Sequence, residues 1–179
     1  MRASMHASRE EETRRVSDWL GTTPIGKIVT DHWVKDLDSA IERYARDYNL
    51  GPFKLAELKA PLVYDVQFRG RPADIHWRAA MAEVGPLAIE LLEVRGGSDD
   101  VLEWTSAMAD GYWHLTSYHV TVEEAERAAA RVVETGWELV LSGRVGGSRF
   151  FMFETGALFG RMFEIAGGDL TDVSFADAL

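Results

Sequence analysis

YWHLTSYHV (residues 112–120) runs without a break into TVEEAERAAARVVETG (121–136), and the fold turns on this stretch. Its first nine residues are aromatic, β-branched and polar in mixture, and read as a strand. Strand alternation puts His114, Thr116 and Tyr118 on one face and Leu115, Ser117 and His119 on the other. Thr121 followed by Glu124 is a capping box. Val122, Ala125, Ala129, Val132 and Val133 form the apolar stripe of a helix that Gly136 ends.

The same order occurs upstream. IVTDHWV (28–34) reads as a strand, with Val29, Asp31 and Trp33 on one face. Asp36 offers a helix N-cap, Leu37, Ile41, Tyr44, Ala45 and Tyr48 recur at helical spacing, and Gly51-Pro52 closes the helix. The two copies keep register: Val34-Lys35-Asp36 corresponds to His119-Val120-Thr121, and Ala40 to Gly51 spans as many residues as Ala125 to Gly136. Three strand-like runs follow each helix. After the first come PFKLAEL, IHWRAAMAEV and LAIELLEV, with further extended residues in APLVYDVQFRGRPAD. After the second come WELVLSGRV, SRFFMFET and RMFEIAG. The repeat predicts an α+β fold of two βαβββ modules, about 26–95 and 111–168, forming curved mixed sheets around a cup. DVLEWTSAMAD between them reads as a short helix capped by Ser98 or Asp99. Residues 1–25 read as an extension that packs on the domain or a partner chain, or stays partly ordered. The acidic 169–179 tail reads as loosely held.

Composition sets outer limits. The chain has 179 residues, 46% hydrophobic and 27% charged, which suits one globular domain. It contains no cysteine, which removes disulfides, thiolate metal sites and a thiol nucleophile. A net charge of −10 with scattered Lys and Arg argues against nucleic acid as a partner. With no apolar signal core and no span of about 18 apolar residues, a cytoplasmic, non-membrane protein is expected by default.

Glu90 and Glu164 each interrupt an apolar strand. A carboxylate in that position is paired, metal-bound, facing a wet cavity, or simply exposed on a half-buried strand. Trp33, Trp77, Trp113, Tyr118, Phe151 and Phe153 supply aromatic surface that suits a hydrophobic organic ligand. Trp33 and Tyr118 are the strongest wall candidates, joined by Asp31, Trp77 and Phe151.

Val34-Lys35-Asp36-Leu37-Asp38, GPF after the first helix, IELLE, the His114 strand and FEI together resemble the vicinal oxygen chelate superfamily, the fold of glyoxalase I, methylmalonyl-CoA epimerase, extradiol dioxygenases and bleomycin-resistance proteins. That resemblance implies a metal on the cup floor, with ligands from the first and fourth strands of each half. These positions fall on His114, Glu164 and Glu90, and on Val29, which cannot ligate. Asp31, two residues on, is the substitute if the backbone shifts. A Glu90, His114, Glu164 set suits Zn²⁺, Mn²⁺ or Co²⁺. Without metal, His114 beside Glu164 is an acid/base pair.

The loss of one ligand argues against an extradiol dioxygenase. What the resemblance implies is a glyoxalase- or epimerase-like lyase or isomerase. It would move a proton next to a carbonyl on a small hydrophobic or aromatic substrate, with His114, Glu164 and Glu90 as catalytic residues. A metal-free binding or resistance protein is the alternative. A homodimer is expected from the same likeness. Arg69, Arg71 and Arg78 would be the local positive patch if the substrate were a CoA ester.

Overall fold

β1 (Pro24–Trp33) and β7 (Tyr112–His119) lie side by side and antiparallel at the centre of an 11-stranded sheet, with Val29 opposite Thr116 and Asp31 opposite His114. The computed structural model describes residues 24–85, 87–156 and 161–178, with side chains from residue 28 onward. Residues 1–23 of the expected N-terminal extension lie outside the described residues.

Each central strand carries a parallel partner on its outer side. β6 (Leu87–Gly97) flanks β1, and β10 (Met162–Asp169) flanks β7. Beyond β6 come β5 (Ile75–Val84) and β2 (Lys54–Leu58); beyond β10 come β9 (Gly147–Glu154) and β8 (Glu138–Val145). The order 2-5-6-1 is thus matched by 8-9-10-7, as expected for two copies of one βαβββ unit. The sheet curls into a half-barrel whose concave side forms the cup.

Two segments break this symmetry. β3 (Val63–Phe68) and β4 (Arg71–Pro72) sit between β2 and β5 in sequence, yet β3 pairs with β8 of the other half. The tail does the reverse: it leaves β10 and places β11 (Ala176–Asp177) on β2 of the first half, where Ala178 N donates to Phe53 O at 2.9 Å. Val173 in that tail is buried in the central core. The tail expected to be loosely held is therefore docked, because its apolar residues close over the cup.

Local chemistry sets the helices. Asp36 caps α1 (Leu37–Tyr48) by accepting from Ser39 N at 3.0 Å, and Asn49 ends it in a left-handed conformation, φ 54°. Ser98 precedes α2 (Asp99–Ser106) but makes no side-chain cap; its hydroxyl accepts from Asp74 N at 2.8 Å instead. α3 (Val122–Glu134) has the complete capping box: Glu124 N donates to Thr121 Oγ1 at 3.2 Å, and Thr121 N donates to Glu124 Oε2 at 3.1 Å. Thr121→Ala is expected to lower stability by about 1 kcal/mol, read as a shifted urea midpoint at unchanged slope.

α1 packs on the convex side over Phe53, Ala80, Ala82 and Leu91. α3 does the same over Phe151, Phe153, Phe163 and Ile165, using Ala125, Ala128, Ala129 and Val132. The buried stripe of α3 includes Ala128 and omits Val133, which is half exposed. On α1, Ala45 and Tyr48 face solvent and Ala40 is buried. α3 approaches β10 closely: a Cβ at Gly167 would stand 2.8 Å from Thr121 O and 2.9 Å from Ala125 Cβ. The inner core fills the cup from Trp33, Trp77 and Phe150 to Val101 and Trp104 of α2. Among the described residues, no helix is long and apolar enough to cross a membrane.

Candidate functional site

Strand parity sends Val29, Asp31 and Trp33 of β1, Glu90 and Leu92 of β6, His114, Thr116 and Tyr118 of β7, and Glu164 and Ala166 of β10 to the concave side. The central register then gathers the polar ones. His114 Nε2 lies 3.0 Å from Glu164 Oε2 and 3.5 Å from Asp31 Oδ2. The Thr116 hydroxyl donates to Asp31 Oδ2 at 2.5 Å and faces Glu164 Oε2 at 3.2 Å. Glu90 of β6 lies opposite Asp31 in the β1–β6 register. On the far side of the imidazole, Trp33 Nε1 donates to His114 Nδ1 at 3.1 Å. Asp31, His114, Thr116 and Glu164 are all buried.

A small cavity of about 90 Å³ opens above this floor. Glu90, Thr116 and Glu164 reach it; Val29, Trp77, Tyr118, Phe150 and Met152 wall it; Leu170, Val173 and Phe175 of the tail close it. Its described lining contains no Lys, Arg or His.

The expected residues divide between wall and support. Tyr118 and Trp77 stand in the wall. The Tyr118 ring is fixed by its hydroxyl, 3.1 Å from Ser148 Oγ and 3.2 Å from Gly168 O. Asp31, Trp33 and His114 do not line the cavity; Asp31 and His114 bond to Thr116 and Glu164, which do, and Trp33 bonds to His114. Phe151 faces the other way. In a strand buried on both faces, parity puts Phe150 and Met152 in the cup and Phe151 and Phe153 against α3. The arginine patch is dispersed: Arg69 pairs with Glu138 at 3.1 Å, Arg71 with Asp100 at 2.8 Å, and Arg78 with Asp38 at 2.9 Å. His76 pairs with Glu57 on the surface, and His32 Nδ1 lies 2.7 Å from the Tyr44 hydroxyl on the α1 side. Sequence reasoning gave Thr116 no role, although its face and spacing from His114 already placed it on the floor.

Crowding carboxyls in a dry place changes their acidity. Burial first, then the charge and hydrogen bond of Asp31 and the charge of Glu164, push the Glu90 pKa well above the ordinary carboxylate value. Burial also raises Glu164, against the lowering effect of the His114 hydrogen bond. For His114, burial disfavours the imidazolium, but Asp31 and Glu164 outweigh it and the pKa is raised.

A raised Glu90 pKa has a definite sign in stability. The native state holds the proton more tightly than the unfolded chain. That contribution is complete below the ordinary carboxylate pKa and is lost as pH rises toward the folded value. Glu90→Gln, which cannot ionise, is expected to raise the melting temperature, with a gap to wild type that widens from about pH 5 upward. Parallel melting-temperature profiles for the two proteins would contradict this.

Asp31, His114 and Glu164 could hold a divalent ion by number and spacing: one ligand atom from each lies within 4.8 Å of the others. Asp31 would then be the first-strand ligand in place of Val29, and Glu90, across the β1–β6 register from it, is outside this group. The imidazole does not fit that role as it stands. A ligating His turns its second nitrogen's N–H to an acceptor, whereas the second nitrogen here faces the indole N–H of Trp33.

No protein-family model matches the sequence, and no curated protein matches it. Solved structures do match. A methylmalonyl-CoA epimerase in complex with methylmalonyl-CoA and NH₄⁺ is 21% identical, with a TM-score of 0.51 over 82% of this chain and 95% of that one. A Streptomyces coelicolor methylmalonyl-CoA epimerase variant in complex with 2-nitronate-propionyl-CoA is 19% identical, with a TM-score of 0.51 over 84% and 96%. A hypothetical protein from Bacillus halodurans C-125 is 16% identical, with a TM-score of 0.50 over 79% and 92%. The paired βαβββ units, the cup between them and these likenesses together give the chain the vicinal oxygen chelate fold.

Proposed function

We propose that this protein is a lyase or isomerase that moves a proton at the carbon next to a carbonyl, on a small, uncharged, largely apolar substrate. The observation that carries this reading is the pair of carboxyls, Glu90 and Glu164, reaching one apolar cavity from strands on opposite sides of the central β1–β7 pair.

The two carboxyls are prepared differently. Glu164 Oε2 faces the Nε2–H of His114 at 3.0 Å, a donor that favours its carboxylate form and aims it. It is the base: the substrate C–H bond breaks, the proton passes to a Glu164 oxygen, and the electron pair moves to the carbonyl oxygen. Glu90, whose pKa burial and Asp31 push well above the ordinary carboxylate value, is the acid that donates to that oxygen. Delivery of a proton to the opposite face of that carbon, with the enol proton going back to Glu90 as the carbonyl reforms, completes an epimerisation; expelling a leaving group from the neighbouring atom completes a lyase reaction.

Cavity size and charge narrow the substrate. About 90 Å³ is well below the ~300–1,000 Å³ of pockets that enclose drug-sized ligands, so the cavity takes the reacting end of a molecule or a small acyl compound. Two carboxyls and no cation in its described lining disfavour a substrate carboxylate. The epimerases among the similar structures therefore support the reaction class and not their own substrate.

Solvent exchange tests this. The protein would be incubated in D₂O with small neutral ketones, aldehydes and thioesters bearing an acidic α-hydrogen, and each compound weighed afterwards. Protein-dependent deuterium uptake supports the reading. Tight binding with every compound recovered unlabelled and unaltered favours a binding protein of the same fold.

A further inference from the structure

We infer that Trp33 locks His114 in the tautomer that carries its proton on Nε2, and that this lock makes the site work with protons and refuse a divalent cation. The inference deepens the proton-transfer reading, and rests on it for the catalytic consequence alone.

An indole N–H can only donate. With Trp33 Nε1 3.1 Å from His114 Nδ1, that nitrogen presents its lone pair to the indole. An imidazolium would turn a second N–H from Nδ1 onto the indole N–H, so the Trp33 contact opposes the charge that Asp31 and Glu164 favour and selects the neutral ring. A neutral imidazole has one lone pair and one N–H, so the proton sits on Nε2, where Glu164 Oε2 at 3.0 Å accepts it. Neither nitrogen then has a lone pair to offer a metal. For Nε2 to ligate, the proton would have to move to Nδ1, and two N–H groups would meet head-on inside the core.

The indole is not free to turn aside. Trp33 is buried, and Trp104 of α2 meets it edge-on at 6.2 Å between ring centroids. Its own carbonyl accepts from Gly111 N at 2.8 Å, fixing the strand end. Its place follows from the register: Asp31 lies opposite His114 and Trp33 opposite Tyr112, so Trp33 is the diagonal neighbour of His114 on the concave face. Acting through His114, Trp33 also orients Glu164, which makes it a positioning residue.

Two measurements decide the matter. The first is side-chain ¹⁵N NMR of the histidines, with His114→Gln used to assign its signals. The inference expects an unprotonated Nδ1 and a protonated Nε2 in His114; a protonated Nδ1 with a bare Nε2 overturns it. The second uses Co²⁺ alone as a probe, followed by its visible absorption. Wild type is expected to show no site-bound Co²⁺, whereas Trp33→Phe, which keeps the ring and loses the donor, is expected to bind it about 10–100-fold more tightly, with the gain abolished by adding His114→Gln. One equivalent of Co²⁺ in wild type, lost on His114→Gln, overturns the inference, and so does a folded Trp33→Phe variant that still refuses the ion. If Trp33→Phe does not fold, the two wild-type measurements decide alone. Finding the Nε2–H tautomer in a protein that exchanges no substrate hydrogen sinks the catalytic reading and leaves this inference standing.

Discussion

Glu164→Gln is expected to slow deuterium exchange into a responsive substrate by about 10²–10⁴-fold, the range a positioned base contributes, without unfolding the protein. The amide matches the carboxylate in volume, and its oxygen still accepts from His114 Nε2–H. Only the capacity to take a proton is lost. Because burial raises the Glu164 pKa, the native protein already carries a penalty for charging this group above the ordinary carboxylate range. The variant is relieved of it, so its melting temperature is expected to equal or exceed that of wild type at neutral pH. Lost exchange together with retained stability is the pattern of a base. An exchange rate equal to wild type sinks the assignment.

Phe153→Ala is expected to cost about 3–5 kcal/mol in urea unfolding, the usual loss for emptying a fully buried aromatic position. Phe153 is fully buried, opposite Phe163 on β10 and beneath α3. The control is Val133→Ala on that helix. Val133 is 50% exposed, and its truncation is expected to stay within about 0.5 kcal/mol. The pair separates the helix face that packs from the one that periodicity drew. Equal costs at the two positions would mean that α3 is rotated on the sheet.

What the sequence disclosed was local. Asp36, Thr121, Glu124 and Gly136 act within a few residues of themselves, and the helix ends they imply stand where they were expected. IHWRAAMAEV is strand from its first residue to its last. The face shared by His114, Thr116 and Tyr118 was also legible, since alternation needs no partner strand.

Partner-dependent features were not legible. In SRFFMFET both faces are covered, one by α3 and one by the cup, so the run gives no alternation to tell Phe150 from Phe151. Asp31 was visible as a residue on the right face. Its place beside His114 depends on the β1–β7 register, which joins residues more than eighty positions apart. Trp33 was placed in the wall on the same reasoning, although in the structure it does not line the cavity but donates to His114 and packs on Trp104 of α2, contacts that spacing within β1 does not reveal.

The β3–β4 arm and the C-terminal segment have a consequence for how the molecule comes apart. Each half lends a strand to the far edge of the other, β3 to β8 and β11 to β2. Neither repeat can peel away without breaking its own ladder and its sibling's together. The two are handcuffed: a nick in the linker around α2 would leave the pieces entwined, and either piece made alone would lack a border strand that only the other encodes. Duplication in the sequence has therefore not produced two folding units. Loss of structure at one end of the sheet is transmitted to the other, so unfolding should proceed as a single cooperative event.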